Sequence, residues 1–201
     1  YDEFSLAFGT PKGILHRVMQ KAYGEANMHV LFSISGGGYG LGNNVRPIRK
    51  PADLKNLKMR VSSSVGMVRA LGNMGKGTGM NMETVPWSEL YNALSRKVVD
   101  GCWSTTNLLV AERQYEVMKY YTDMGFAWDA AQIAVNREAW EKLPPDLKTI
   151  VEKAAKGAEA YALNLEKNAL AEDMETLKKK GLQVVQLTPA EKEAFFKASD
   201  V

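Results

Sequence analysis

Arg46-Pro-Ile-Arg-Lys-Pro-Ala-Asp-Leu-Lys-Asn-Leu-Lys-Met-Arg60-Val61 runs a turn, a short helix and an entering strand into one arginine. Pro47 and Pro51 disfavour helix at the residues before them, so Asp53 to Leu57 has room for little more than a turn before Lys58-Met59-Arg60-Val61 extends. The charge of Arg60 is thereby placed at a strand end, where open α/β sheets hold their ligands. A guanidinium there can meet a carboxylate with two parallel N–H···O bonds, giving charge and orientation together. The same residue also reads as a surface arginine paired with an acid.

Outward from this stretch the chain alternates helical and extended patterns. Residues 12–23 place Ile14, Leu15, Val18, Met19 and Ala22 at helical spacing, and 28–34 reads as a short apolar strand. The run Ser35-Gly-Gly-Gly-Tyr-Gly-Leu-Gly-Asn-Asn44 reads as a flexible or tightly turned connection. Residues 65–74 are helical, Gly75 to Gly79 a second glycine-rich turn, and 82–85 extended. Trp87 to Lys97 reads as an amphipathic helix burying Leu90, Ala93 and Leu94, and Val98 to Ser104 as a strand. Residues 107–119 read as helix, with separate strands at 120–124 and 130–136. This βαβ rhythm predicts parallel α/β lobes.

The most regular stretch follows Pro144-Pro145, where Leu147, Ile150, Val151, Ala154, Ala158, Tyr161, Ala162, Leu165, Leu170, Met174 and Leu177 recur at three- and four-residue spacings. One long helix or two nearly collinear ones results, with Gly157 the weakest point. Gly181 supplies a stop and Leu182 to Leu187 a strand. Thr188-Pro-Ala-Glu191 then forms a capping box with proline at the first helical position.

Composition narrows the function classes. The 201 residues carry a net charge of only +3, and Lys and Arg are interspersed with Asp and Glu, which argues against a nucleic-acid partner. No apolar run approaches the roughly 20 residues that span a bilayer, so direct membrane insertion is not expected. The single Cys102 excludes an internal disulfide framework. Catalytic signatures are also lacking, and no enzyme is expected. The glycine clusters fit neither phosphate-cradling pattern, and His16 and His29 lack metal-ligand spacing with Cys102. Nor does a G-x-S-x-G elbow occur. Neither a metal nor a cofactor is predicted.

The opening stretch, continued through Pro86-Trp-Ser-Glu-Leu-Tyr-Asn-Ala-Leu94, Val98-Val-Asp-Gly101 and Trp140-Glu-Lys-Leu-Pro-Pro-Asp-Leu-Lys-Thr-Ile150, resembles the DctP-type substrate-binding proteins of TRAP (tripartite ATP-independent periplasmic) transporters. Four motifs in the family's order, over Val45 to Leu187, carry the resemblance. It implies an α/β, two-lobe periplasmic binding protein fold with a long lobe-bridging helix. It also implies a missing N-terminal part, since family members begin with a signal peptide and a βαβ portion. Residues 1–35 and 130–169 would belong to lobe I, and 36–129 with 170–201 to lobe II, the glycine-rich run and the Trp128-Asp129 region being crossovers. The implied function is a periplasmic, non-enzymatic receptor that captures a small-molecule carboxylate between the lobes and delivers it to membrane permease subunits. A ligand-sensing module of the same fold, coupled to a signalling partner, is the alternative.

The resemblance also supplies site residues. Its L-K-x-R-V arginine, here Arg60, binds the substrate carboxylate, and Ser62 and Ser64 follow it in the candidate ligand-binding set. Trp87 occupies the position of an aromatic ring that packs on the substrate, and reads equally as a core tryptophan. Trp103 and Ser104 fall where many members carry Gln-Glu-Asn, so neither that asparagine contact nor a metal bridge through that glutamate carries over. Trp128 admits a role in closing the cleft or a place in the core. Tyr39 stands about where many members carry a second arginine. A phenol cannot neutralise a second carboxylate, which favours a monocarboxylate ligand.

Overall fold

In a computed structural model of the chain, the described residues are 13–199. They divide into two compact units, one holding the residues up to Gly36 together with Asp129–Ala169, the other Gly37–Trp128 and the chain from Leu170 onward.

The second unit is built on a sheet whose strands lie in the order β3-β2-β4-β1-β5-β6. These are β1 (Met28–Asn43), β2 (Lys58–Val61), β3 (Asn81–Thr84), β4 (Gly101–Thr105), β5 (Tyr120–Asn136) and β6 (Gln183–Gln186). The Arg46 stretch folds as its prolines require. Pro51–Leu54 make one 3₁₀ turn. Asp53 closes it by accepting the backbone N–H groups of Arg49 at 2.8 Å and Lys50 at 3.1 Å, and its own carbonyl accepts from Arg46 Nε at 2.9 Å. Ile48, Leu54 and Leu57 are buried beneath the turn, and the Ile48 carbonyl accepts from Thr122 Oγ1 at 2.8 Å. With both sides pinned, the chain enters β2 at Lys58 in one register.

That register sorts the side chains. Arg60 pairs with Glu83 of β3 and Cys102 of β4, both parallel to β2. Met59, Val61, Leu41, Trp103 and Val185 form one face and pack with Ala70, Leu71 and Met74 of the helix Val65–Met74 and Phe195 of the helix Pro189–Ser199. Cys102 and Tyr121 lie on the opposite face, among Leu90, Leu94, Leu109, Met174 and Leu177. The sheet is mixed, a correction to the parallel lobes predicted above, because β1 pairs antiparallel with β4, Gly40 opposite Ser104. Beta-six lies parallel to β5, Tyr121 opposite Val184.

Other local readings shift for identifiable reasons. The glycine-rich run is not a connection; it lies inside β1, with Gly36 against the Asp129 side chain, Gly40 beneath Tyr121 and Gly42 beneath Met118. Its glycines serve close approach by neighbouring groups, a use of glycine within strands. The strand expected from Val98 starts at Gly101, because Asp100 is held by exchanges with Lys58: its N–H donates to Lys58 O at 2.7 Å and its Oδ2 accepts from Lys58 N at 2.8 Å. The helix expected over 107–119 is confined to Thr106–Ala111, since Arg113 takes a left-handed φ of 52° before a 3₁₀ turn at Gln114–Glu116. Trp87–Glu89 is likewise a 3₁₀ turn, with α-helix only over Leu90–Ser95. The two short strands expected between 120 and 136 are one, β5, with Gly125 at a φ of 65° within it.

In the first unit the helix Ile14–Glu25 leads into the start of β1; Lys12, where the helix was expected to begin, lies outside the described residues. Gln20 Oε1 accepts from Val30 N at 3.2 Å, Tyr23 Oη donates to Gln132 Oε1 at 3.1 Å, and His29 stacks on Trp140 at 4.8 Å between centroids. Burial lowers the affinity of His16 for a proton, with Glu159 opposing.

The long helix is one element, Pro145–Lys179, of 35 residues and about 52 Å at 1.5 Å per residue. It supplies residues to both units, up to Ala169 in the first and from Leu170 in the second. Gly181 ends the following turn at a φ of 94°. The capping box forms: Thr188 N–H donates to Glu191 Oε2 at 2.7 Å and Glu191 N–H to Thr188 Oγ1 at 3.3 Å. Gly157 causes no break, and apart from its own helical turn no atom of the described residues lies within 4 Å of where its Cβ would stand. Gly157→Ala is therefore expected to stabilise the protein by about 0.5 to 1 kcal/mol, through the helix propensity of alanine and a less flexible unfolded chain. Urea denaturation measures this; a lower midpoint would show that the helix is not continuous there.

Candidate functional site

The carboxyl ends of three parallel strands meet around Arg60. Its side chain is 6% exposed. Nε donates to the Val85 carbonyl at 2.9 Å, just past the end of β3, so the guanidinium is directed along the sheet toward the strand ends. There it lies 5.5 Å above the Trp87 ring, within the range of a cation–π contact. Trp87 is half-buried and held by its 3₁₀ turn.

What this guanidinium lacks is a counter-charge. Glu83 is its cross-strand neighbour, yet Glu83 is exposed, and among the described residues Arg60 makes no ion pair. Burial depresses its affinity for the proton, offset in part by the Cys102 thiol and the Tyr39 phenol. The Cys102 thiol is pushed up to about 12 by burial, with Arg60 pulling the other way, so it stays protonated and supplies no anion at neutral pH. A cation removed from water without a partner is costly, and a bound anion removes that cost.

The other candidate residues take different places. Ser104 is buried in β4 on the face of Cys102 and Arg60. Trp103, beside it, points to the opposite face and packs in the core, its ring edge-on to Tyr39 at 5.7 Å. Tyr39 is half-buried within electrostatic reach of Arg60. Ser62 is engaged in its own loop, accepting from Ser64 N at 3.2 Å and meeting Met67 Sδ at 3.4 Å. Ser64 is exposed at the start of the next helix. Trp128 lies on β5, 43% exposed, and among the described residues it makes no ring contact with the others. The structure thus brings Arg60, Trp87, Ser104 and Tyr39 to one edge of the sheet. Trp103 stands behind Tyr39, and among the described residues no hydrogen bond or ring contact joins Ser62, Ser64 or Trp128 to Arg60.

Sequence reasoning missed Gly40 and Tyr121. Tyr121 is fully buried on the Arg60 face and its hydroxyl lies over Gly40. The signal was available: a glycine within a strand marks a place where another group comes close. Among the described residues no cluster of three or more His, Cys, Asp or Glu side chains is arranged to hold a metal ion, and no helix is long and apolar enough to cross a membrane.

Residues 12–201 match the family model of the DctP proteins, described as bacterial extracellular solute-binding protein, family 7, and the chain belongs to that family. It is 28% identical over 150 residues to the C4-dicarboxylate-binding periplasmic protein of Rhodobacter capsulatus, a match covering 74% of this chain and 44% of the relative. It is 25% identical over 153 residues to the 2,3-diketo-L-gulonate-binding periplasmic protein of Escherichia coli, covering 76% and 45%. A TRAP periplasmic solute-binding protein of Ralstonia eutropha, solved with bound (S)-2-acetolactate, superposes with a TM-score of 0.88 at 27% identity, over 100% of this chain and 63% of that one. The chain thus spans less than half the length of these curated relatives.

The packing over Gly40 has a direct test. A Cβ at this position would collide with the Thr122 carbonyl and the Tyr121 hydroxyl. Gly40→Ala is expected to destabilise the protein by about 1 to 3 kcal/mol, the usual cost of overpacking. Denaturant titration checks it, and a neutral result would mean that Tyr121 does not lie across the glycine.

Proposed function

We propose that this chain is the anion-gripping part of an extracytoplasmic receptor that binds a small organic carboxylate and hands it to a TRAP permease. The observation that carries this reading is the nearly buried guanidinium of Arg60 with no acidic partner among the described residues. Its Nε is already committed to Val85, which fixes the remaining edge of the fork for a carboxylate. Trp87 closes one side of the charge with an aromatic surface.

The relatives support the same ligand class, because C4-dicarboxylate, 2,3-diketo-L-gulonate and acetolactate all carry a carboxylate. Family membership supports placement outside the cytoplasm and a binding function in preference to catalysis. Among the described residues the titratable groups that act on Arg60 are the Cys102 thiol and the Tyr39 phenol, neither a cation, which supports a ligand with one carboxylate at this edge. Trp103 enters as the support of Tyr39, with no contact to the ligand of its own.

Arg60→Lys keeps the charge but loses the planar fork, and is expected to weaken binding of the carboxylate by about 1 to 3 kcal/mol. Calorimetry on the intact protein decides this. Unchanged affinity would remove Arg60 from the role of anchor.

A further inference from the structure

The strands of the second unit are entered through basic residues. Lys55 stands before β2, Arg96 and Lys97 before β4, Lys119 before β5, and Lys179 and Lys180 before β6, and all six are exposed. Along the sequence these cations are dispersed among acids. The sheet gathers them at one edge, as hydrogen bonds between neighbouring strand entrances show. Asp100 N donates to Lys58 O at 2.7 Å and Lys58 Nζ to Lys97 O at 2.8 Å, joining the entrances of β2 and β4. Asn44 N donates to Asp100 O at 2.9 Å and Lys119 N to Asn43 O at 3.1 Å, joining β4 to β5 through the end of β1. Gln183 N donates to Lys119 O at 2.9 Å and brings in β6. With neighbouring strands about 4.8 Å apart, the row runs for roughly 20 Å. It lies at the amino ends of the strands, and Arg60 belongs to the carboxyl ends.

Acids are fewer along this edge, and most are engaged. Asp100 Oδ2 accepts from Lys58 N at 2.8 Å, and Asp53 closes its own turn. Glu116 accepts from Tyr91 Oη at 2.9 Å and pairs with Arg113, while Glu175 pairs with Lys178. Among the described residues none of the six cations enters a salt bridge. Basic residues also offset the negative ends of helices. That accounts for one cation after the helix Leu90–Ser95 and one at the end of Pro145–Lys179, yet each place has at least two. Lys55 and Lys119 follow single 3₁₀ turns, which have little dipole to offset.

We propose that this edge is an electrostatic docking surface for an anionic phospholipid bilayer, on which the protein adsorbs without inserting. The row suits lipid better than an acidic protein. Five of its six members are lysine, a residue that protein interfaces deplete in favour of arginine and aromatic anchors. Against a fluid layer of headgroups a lysine keeps its freedom and needs no matched geometry. Val45 and Val98, exposed at the same edge, offer only small apolar contacts, so the attraction rests on charge. The proposal is independent of the carboxylate reading of Arg60, and adsorption by the amino ends leaves the Arg60 end of the strands clear of the lipid.

The test is cosedimentation of the intact protein with phosphatidylcholine vesicles, with and without phosphatidylglycerol, at low and high salt. Binding should require phosphatidylglycerol and be lost at high salt. Lys55→Gln, Lys119→Gln and Lys179→Gln combined should weaken it on the order of a hundredfold, at about fivefold per lysine. Lys142→Gln, Lys153→Gln and Lys156→Gln combined, at exposed positions of the first unit, remove the same charge and should leave binding nearly unchanged. Thermal unfolding verifies both triple variants, and the lipid and salt dependence of the unsubstituted protein carries the test if either does not fold. Equal binding to both kinds of vesicle, or binding that survives high salt, would overturn the surface. So would equal weakening by the two triple variants, which would show an effect of net charge alone. Capture by immobilised polyglutamate, with phosphatidylglycerol vesicles ignored, would assign the row to an acidic protein and overturn the lipid partner.

Discussion

The structure turns on a positive charge that the fold buries and that has no acidic partner among the described residues. Arg60 belongs to a strand whose neighbours on both sides are fixed by parallel pairing, so the face on which its side chain leaves the sheet is set by the register. One nitrogen is tied to Val85 and an indole covers the guanidinium. Such a group is expensive in the absence of an anion, and a protein retains it where an anion spends time. The same fixity makes the charge a good recognition element, because a fork held in place loses little freedom when a carboxylate arrives.

Everything around the charge keeps it in position. The turn from Arg46 to Leu57 is pinned by Asp53 on one side and by Ile48 and Leu54 beneath, so β2 starts at one residue and no other. Asp100 clamps the beginning of β4 to the beginning of β2, which sets Cys102 beside Arg60. The two faces of the sheet then do different work. On one, Trp103 and Tyr39 meet edge to face within the core, and on the other Cys102 and Tyr121 pack among Leu90, Leu94 and Leu109 with Arg60 at the strand ends. A one-residue slip in β4 would exchange Trp103 for Ser104 on the cationic face.

Much of this was legible from the chain. The prolines at 47 and 51 predicted the turn, and the three- and four-residue spacing after Pro145 predicted one long helix or two nearly collinear ones, of which the structure has the first. The Thr188 to Glu191 capping box could be recognised from four letters. What escaped was set by distant partners. The glycines at 36 to 42 look like a loop until Tyr121 and Met118 are seen lying over them, because composition does not say what approaches a glycine. The helix over 107–119 stops early through the left-handed Arg113, which periodicity does not register. Among the candidate residues, Arg60 was marked by its strand position. Trp103 stands in the candidate set through its motif position beside Ser104, and only the register reveals that it faces away from the charge. Tyr121 carries no motif at all; its place depends on β5 lying beside β1, from a distant part of the chain.

The central claim is that the unpartnered guanidinium is an anion site and not a resting ion pair. A crystal structure of the intact protein with a co-purified or added carboxylate tests it most directly. The account predicts carboxylate oxygens about 2.7 to 2.9 Å from the free edge of the Arg60 guanidinium, with Nε still donating to Val85. A structure in which Arg60 instead pairs with Glu83 or another protein acid, with the carboxylate bound elsewhere, would contradict it.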